Sequence, residues 1–399
     1  MVLTSKRAFL FIIAMSFFVT AYYIAVLNEQ FISSTTKLNT YFGRFASDVL
    51  INTFRRYGKG GIPCTEITQI VYIKTHKTAS STTNSVIQRF GYNRSLAFAL
   101  PKEGHIFHEK KLFTHELLQY ERPPSNQSDH FNIIASHLIY NRPELDKVVP
   151  NATYITILRS PVQRFESAFG YYDYASKVGL QASENALEKF MKEPDKYSNR
   201  MGVVPRGRLR NGMFFNLGFD HRFDDNDSAI DEMINKLDKE LDLVLISDYF
   251  EESLVLLKNV LCWKLDDILY ISIGIRSNNS RYVISKSVAE RILKWNKADV
   301  KLYKHFNRTF WKKINSYGAD FYRDLREYRT RLKQFEDECV NRNKTKLIDN
   351  RIDELVMKTN ASSQCKSAFI GTADFHVILK REAEELHNMS MANKWTKHR

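Results

Sequence analysis

Glycine is scarce in this 399-residue chain, and none of its 15 glycines falls between Gly61 and Gly91. That interval holds a β-branched run leading into helical spacing, where a nucleotide-binding loop is often found. Without the GxxxxGK[ST] spacing it is not a Walker A loop, which tells against a nucleoside triphosphatase or a kinase. Cysteine is scarcer still. Cys64, Cys262, Cys339 and Cys365 are too few for a disulfide scaffold, and no CxxC pattern suggests a metal site. The formal net charge is +14, yet no run of lysines and arginines resembles a nucleic-acid tail. The basic balance therefore points to an anionic ligand or surface rather than to nucleic acid. Internal repeats are absent as well.

Long apolar runs are missing with one exception. Ala8 to Leu27 is an uninterrupted uncharged stretch of 20 residues, preceded by Lys6 and Arg7 and followed by Glu29 as the first acid. Its length suits a spanning helix, and the flanking charge puts the N-terminus in the cytosol. A cleaved signal peptide fits less well, because the run is long for an h-region and ends in Val26-Leu27-Asn28-Glu29 with no A-x-A-like site. The expected organisation is a cytoplasmic tail at 1–7, a signal-anchor at 8–27, a polar stem at 28–62 and a luminal domain at 63–390. Asn-X-Ser/Thr sequons at Asn93, Asn126, Asn151, Asn226, Asn278, Asn307, Asn343, Asn360 and Asn388 agree with passage through the secretory lumen. In that oxidising compartment the four cysteines allow three pairings. Cys64 with Cys262 and Cys339 with Cys365 is expected, since each pair falls within one structural region.

With 43% hydrophobic residues the body can bury a sizeable core. Strand-like runs recur at Ile67 to Ile73, Phe131 to Ala135, Tyr154 to Leu158 and Leu241 to Ile246, separated by helical or irregular stretches. This alternation predicts an α/β domain with a central, mainly parallel sheet. Residues 281–338 read as a helical C-terminal part whose Trp295, Leu302, Phe306, Phe310 and Trp311 are core positions. Beyond Cys339 the chain turns polar, and the tail from Asn388 to Arg399 is expected to be loose.

In such sheets ligands sit beyond the carboxyl ends of the strands, so the residues after each strand carry the chemistry. The first strand runs into Lys74-Thr75-His76-Lys77-Thr78-Ala79-Ser80-Ser81-Thr82 and then a helix. Small, hydroxylated and basic residues at a helix start make an anion site, because unpaired backbone N–H groups face the guest. The third strand runs into Arg159, a Ser-Pro pair and a helix carrying Ser167. Proline suits the first helical turn, and a guanidinium fork before it can hold a phosphate bidentately. Two anion sites on neighbouring strand ends imply a ligand with anionic groups at both ends.

These motifs resemble the 5′-phosphosulfate and 3′-phosphate loops of Golgi sulfotransferases that use 3′-phosphoadenylyl sulfate. KTHKTASST with LRSPVQRFESAF most resembles the galactose 3-O-sulfotransferase family. Further similarity lies in Asn211 to Gly218, Leu261 to Asp267, Trp295 to Asp299 and Leu302 to Asn307, so the resemblance spans about residues 64–315. It implies a P-loop-like sulfotransferase fold. It also implies transfer of a sulfuryl group to the 3-hydroxyl of a terminal galactose on a glycolipid of galactosylceramide type or a glycoprotein glycan, with no metal. Another glycan acceptor, such as a glycosaminoglycan, and an inactive glycan-binding protein are the alternatives. Where a Phe-Asn-Leu-Gly context carries Asn216, an acidic residue is expected of the family.

In-line displacement at sulfur needs a cation at the bridging oxygen and a base at the acceptor hydroxyl. Lys77, at the lysine position that sulfotransferase loops share, is the expected leaving-group cation, with Lys74 adding charge. Thr75, Thr78, Ala79, Ser80, Ser81 and Thr82 complete the expected 5′-phosphosulfate cradle, while Arg159 and Ser167 take the 3′-phosphate. His137, after the second strand, ranks first as base and His76 second, either suiting a near-neutral pKa. Glu166 reads as structural, and Tyr140 to Arg142 lie where they could touch the sugar.

Overall fold

All four expected strands are mainly apolar, with a single polar residue or pair in each, as suits a sheet covered on both faces. The computed structural model describes residues 64–124, 129–181, 183, 185–272, 275–277, 281–348 and 352–397. In it the runs form β1 (Ile70–Ile73), β2 (Ile133–Ile134), β3 (Thr153–Leu158) and β4 (Leu243–Ile246). Every pairing is parallel, in the order β2-β1-β3-β4. Ile70 to Ile73 and Leu245 to Ile246 are fully shielded from solvent, and the Thr156 hydroxyl reaches across to donate to the Ile73 carbonyl at 2.8 Å.

Parallel neighbours need crossover connections, which the helices supply. α1 (Ser80–Tyr92) follows β1, α2 (Arg142–Val148) joins β2 to β3, and α3 (Pro161–Tyr171) leaves β3. Then come α4 (Tyr174–Lys177), α5 (Ala186–Lys192), α6 (Pro194–Ser198), α7 (Val203–Leu209), α8 (Gly212–Asn216) and α9 (Asp227–Glu240), before β4 and α10 (Phe250–Leu261). The chain passes from β1 to β2 on one side and from β3 to β4 on the other. The loops after β1 and β3 therefore part company at adjacent strand ends, which is the switch point where such sheets bind ligands.

The C-terminal part is helical as expected, with α11 (Lys286–Trp295), α12 (Lys297–Tyr317) and α13 (Asp320–Cys339). Trp295, Leu302, Phe306 and Phe310 are buried there. A satellite core of Phe165, Phe169, Phe190 and Trp295 clamps α3 against α11. Phe165, Ala168 and Phe169 fall on one face of α3 at helical spacing, so this packing fixes the rotation of the helix.

A second sheet, which the sequence reading did not anticipate, is antiparallel: β5 (Ile275–Arg276), β7 (Ile352–Met357) and β6 (Val340–Ile348) lie in that order. Cys339 is bonded to Cys365 with Cα atoms 5.2 Å apart, pinning α13 to α14 (Ser363–Ala368) as expected. Cys64 and Cys262 are disulfide-bonded too.

The tail needs a correction. From Asn388 to Lys397 it continues α15 (Thr372–Lys397) instead of trailing loose. Its Ala, Leu, Met, Glu and Lys content favours helix, and buried Phe375 and Leu379 dock its first turns. The expected tail, anchor and stem, residues 1–62, lie outside the described residues. Among those described, no helix is long and apolar enough to cross a membrane. All the elements named belong to one compact unit, Glu66–Arg399.

Candidate active site

The turn between β1 and α1 is built from its own hydroxyls. Thr75 Oγ1 donates to the Ile157 carbonyl of β3 at 2.5 Å, while Thr78 and Ser80 hydroxyls donate back to the Thr75 carbonyl at 3.2 and 2.6 Å. These side chains hold the loop's shape, so what they offer a guest is backbone N–H. Lys77 and Ala79 both take left-handed φ values, 64° and 62°. For residues with a β-carbon such conformations cost about 1 kcal/mol each and cluster at ligand clamps. Ala79 is the N-cap of α1 and supplies no side-chain cap. The helix start thus keeps free N–H groups and the positive end of its dipole.

Cations gather around this turn. Lys74 is almost fully buried, and burial lowers its pKa to about 8. Burial first, then Arg276, Arg159 and Lys74, bring Lys77 down to about 7, against a smaller raising effect of Glu166. The Lys77 ammonium rests 3.4 Å from the Tyr171 ring centroid, a cation–π contact. Arg159 donates to the Lys77 carbonyl at 3.2 Å, so the loops after β1 and β3 are joined directly. Glu166 grips Arg276 with both oxygens and accepts the Tyr282 amide at 2.8 Å, confirming its structural part. Ser167 is half-buried on α3, Ser81 is exposed on α1 and Thr82 is half-buried there.

His76 and His137 stack with ring centroids 4.2 Å apart and 16° between planes. Expected as alternatives, they form one unit. His137 Nδ1 lies 3.1 Å from the Lys74 carbonyl oxygen, which can only accept, so Nδ1 carries the proton and Nε2 of the neutral ring is free to take one. His76 Nδ1 lies 3.0 Å from the Tyr172 hydroxyl. Both imidazoles are held well below the usual histidine value. Burial is the main cause for each; Arg208 and Lys74 add to it at His76, and His76 and Lys74 add to it at His137.

The segments around this pair explain residues that the sequence reading quoted without a role. Asn216 Oδ1 accepts the His76 amide at 3.1 Å, tying α8 to the anion turn. The Phe214 and Met213 amides at the start of α8 donate to Asp299 at 2.9 and 3.3 Å, and the Asn211 amide donates to Asn296 at 2.8 Å. Buried Arg164 caps the end of α7 through the Arg208 and Leu209 carbonyls. Its guanidinium sits where any side chain on Gly212 would clash.

Tyr140, Asn141 and Arg142 are taken up elsewhere, by Glu240, the Phe113 carbonyl and Asp146 respectively. Sequence reasoning missed Tyr171, Tyr172 and Arg276. The adjacent tyrosines that close the helix opened by the second anion loop were a readable signal; nothing local marked Arg276.

Comparison with known proteins points to one family. The galactose-3-O-sulfotransferase family model matches residues 3–371. The chain is 38% identical over 259 residues to a galactosylceramide sulfotransferase of Bos taurus, covering 64% of this chain and 60% of the relative. To the galactosylceramide sulfotransferase of Mus musculus it is 36% identical over 281 residues, 70% of this chain and 65% of the relative. A galactose-3-O-sulfotransferase 2 of Sus scrofa matches at 34% over 303 residues, 74% of this chain and 75% of the relative. The matched part thus spans somewhat less than two thirds of the galactosylceramide sulfotransferases.

Proposed function

This chain belongs to the galactose-3-O-sulfotransferase family, and from that premise we propose that it transfers a sulfuryl group from 3′-phosphoadenylyl sulfate to the 3-hydroxyl of a terminal galactose. The observation that carries the reading is the junction of two anion loops at the sheet's switch point, beside a neutral imidazole with a free Nε2.

The residues fit such a donor. The uncapped start of α1, with Thr78 to Ser81, cradles the 5′-phosphosulfate through backbone N–H groups, Thr82, whose amide donates to the Ala79 carbonyl, adding its hydroxyl, and Lys74 and Lys77 supply the countercharge. Arg159 and Ser167 take the 3′-phosphate. When bound, the donor supplies an activated sulfuryl group on a phosphate leaving group. His137 Nε2 receives the proton of the acceptor hydroxyl as its oxygen bonds to sulfur, and the Lys77 ammonium stabilises the charge left on the departing phosphate oxygen. The anionic donor raises the imidazole pKa at the moment a base is needed. His76 supports the stack and, through Tyr172, the orientation of both rings.

The acceptor is a galactose-terminated glycolipid of galactosylceramide type or a glycoprotein glycan; relatives named galactosylceramide sulfotransferase and galactose-3-O-sulfotransferase support the galactose in either. The apolar run at 8–27 and the sequons support a single-pass type II protein of the Golgi membrane with a luminal catalytic body. Transfer of labelled sulfate to galactosylceramide, lactose-type glycans and heparan acceptors tests this. Labelling of a galactoside at the 3-position is expected; labelling of heparan alone overturns it.

A further inference from the structure

A small concavity opens beside the imidazole stack. Its lining includes His76, His137, His108, Glu109, Arg208 and Phe215, but neither Lys77 nor Arg159. The two rings therefore border both the anion loops and a separate recess, whose remaining wall is mainly aliphatic, from Ile106, Leu138, Ile139 and Val204. Donor chemistry accounts for the first and leaves the second unused.

The recess itself, about 10 Å³, has room for no more than a water, but the polar groups and ring face at its mouth are those that read a sugar. Glu109 and Arg208 form an ion pair across it, and Arg208 Nε is buried with no partner among the described residues. The Arg208 guanidinium also stands 4.9 Å from the Tyr172 ring centroid, on the tyrosine that bonds His76. His108 Nδ1 accepts the Lys110 and Lys111 amides at 2.9 and 3.0 Å, which leaves Nε2 to carry the proton in the neutral ring. Phe215, half-buried and stacked on His221 at 4.7 Å, contributes a ring face. Neighbouring hydroxyls on a pyranose are read by carboxylate acceptors and guanidinium donors, while its C–H face packs on an aromatic ring.

We infer that the Glu109–Arg208 pair is the acceptor-reading element: it binds ring hydroxyls next to the accepting hydroxyl of a galactoside held at His137. This rests on the transfer reaction proposed above. A sugar whose 3-hydroxyl meets His137 Nε2 carries its 2- and 4-hydroxyls on either side. Glu109 accepts from one of them and Arg208 donates to it, so the pair selects among sugars by the positions of those groups. Lys77, Arg159 and the α1 start have no part in this selection.

The test compares wild type with Glu109→Gln, using a galactoside and its 2-deoxy and 4-deoxy analogues, with binding of adenosine 3′,5′-bisphosphate as the control. Glu109 is partly exposed, with 32% of its side-chain surface accessible, so the fold should tolerate the change. The expected result is an acceptor KM raised about 10-fold or more, from loss of a charged hydrogen bond. Donor KM and bisphosphate affinity stay within about twofold, on the ground that Glu109 lies outside the donor loops. One deoxy analogue is expected to lose its penalty in the variant while keeping it in wild type. Equal penalties in both proteins at every ring hydroxyl overturn the inference. Wild type that binds the bisphosphate but labels no galactoside overturns the proposed reaction instead. Should Glu109→Gln lose bisphosphate binding, Arg208→Lys carries the same deoxy comparison, with the same deciding outcome.

Discussion

His137 donates its Nδ1 proton to the main-chain carbonyl of Lys74 across 3.1 Å, which ties the loop after β2 to the chain leaving β1. The bond fixes the tautomer and the plane of the ring together. It also means that the proposed base is oriented by a backbone carbonyl.

Replacing His137 by alanine should therefore lower kcat by about 10²–10⁴-fold while bisphosphate binding holds, as removal of a general base does. His76→Ala should cost less and raise the apparent KM as well, because it unseats the turn. Steady-state kinetics with a galactoside acceptor separates the two; near-normal kcat in His137→Ala would transfer the role to His76.

Lys77 at about 7 and Lys74 at about 8 are partly deprotonated near neutral pH in the free protein. An arriving phosphosulfate or bisphosphate raises both values, so binding takes up protons and affinity falls as pH rises from about 7 to 9. Titration calorimetry in buffers of different ionisation enthalpy should show net proton uptake, reduced in Lys77→Met. An unchanged uptake in that variant would remove Lys77 from the anion site.

Asn216 offers the His76 amide an oxygen acceptor, and an aspartate supplies the same oxygen with a charge. Asn216→Asp should keep the turn and raise the pKa of His76, whereas Asn216→Leu should cost about 1–3 kcal/mol by orphaning a buried donor. Thermal melts and a histidine NMR titration read the two effects; a stable Asn216→Leu protein with full bisphosphate binding would contradict the tie.

His376 on α15 is buried between Ser136, whose Oγ lies 2.7 Å from Nε2, and Gln88, whose Nε2 lies 3.1 Å from Nδ1. Burial, then Lys74, His105 and Lys380, bring its pKa to about 4. The unfolded chain binds more protons between about 6.5 and 4, so stability should fall as pH drops through that window, by roughly 3 kcal/mol in full from this group. His376→Gln should flatten the decline in melting temperature from pH 7 to 5. A slope identical to wild type would show that the ring is not held neutral.

The anion loops could be read without the fold because each is contiguous: strand, basic turn and helix follow within one stretch, and Lys77 or Arg159 is recognised from its immediate neighbours. The four strands were visible for a related reason, since burial on both faces leaves a mainly apolar run. The second sheet was not, because β6 is mostly polar, and both β6 and β7 gain their identity from pairing with each other. The end of α15, from Asn388, was read as loose because its own composition is polar, while the residues that dock the helix, Phe375, His376 and Leu379, lie at its start.

By itself, the sequence determined the central sheet, the two candidate anion loops and the family to which they point, all consequences of local spacing and of which residues tolerate burial. Only the tertiary structure decided that His76 and His137 share one stack, that Asn216 and Tyr172 hold it, and that Glu109 meets Arg208 beside it. These partners lie far apart along the chain. Their meeting is set by strand order and by the clamping of α3, α7 and α8 through Arg164, Asp299 and the Phe165–Trp295 core, and no local pattern carries that information.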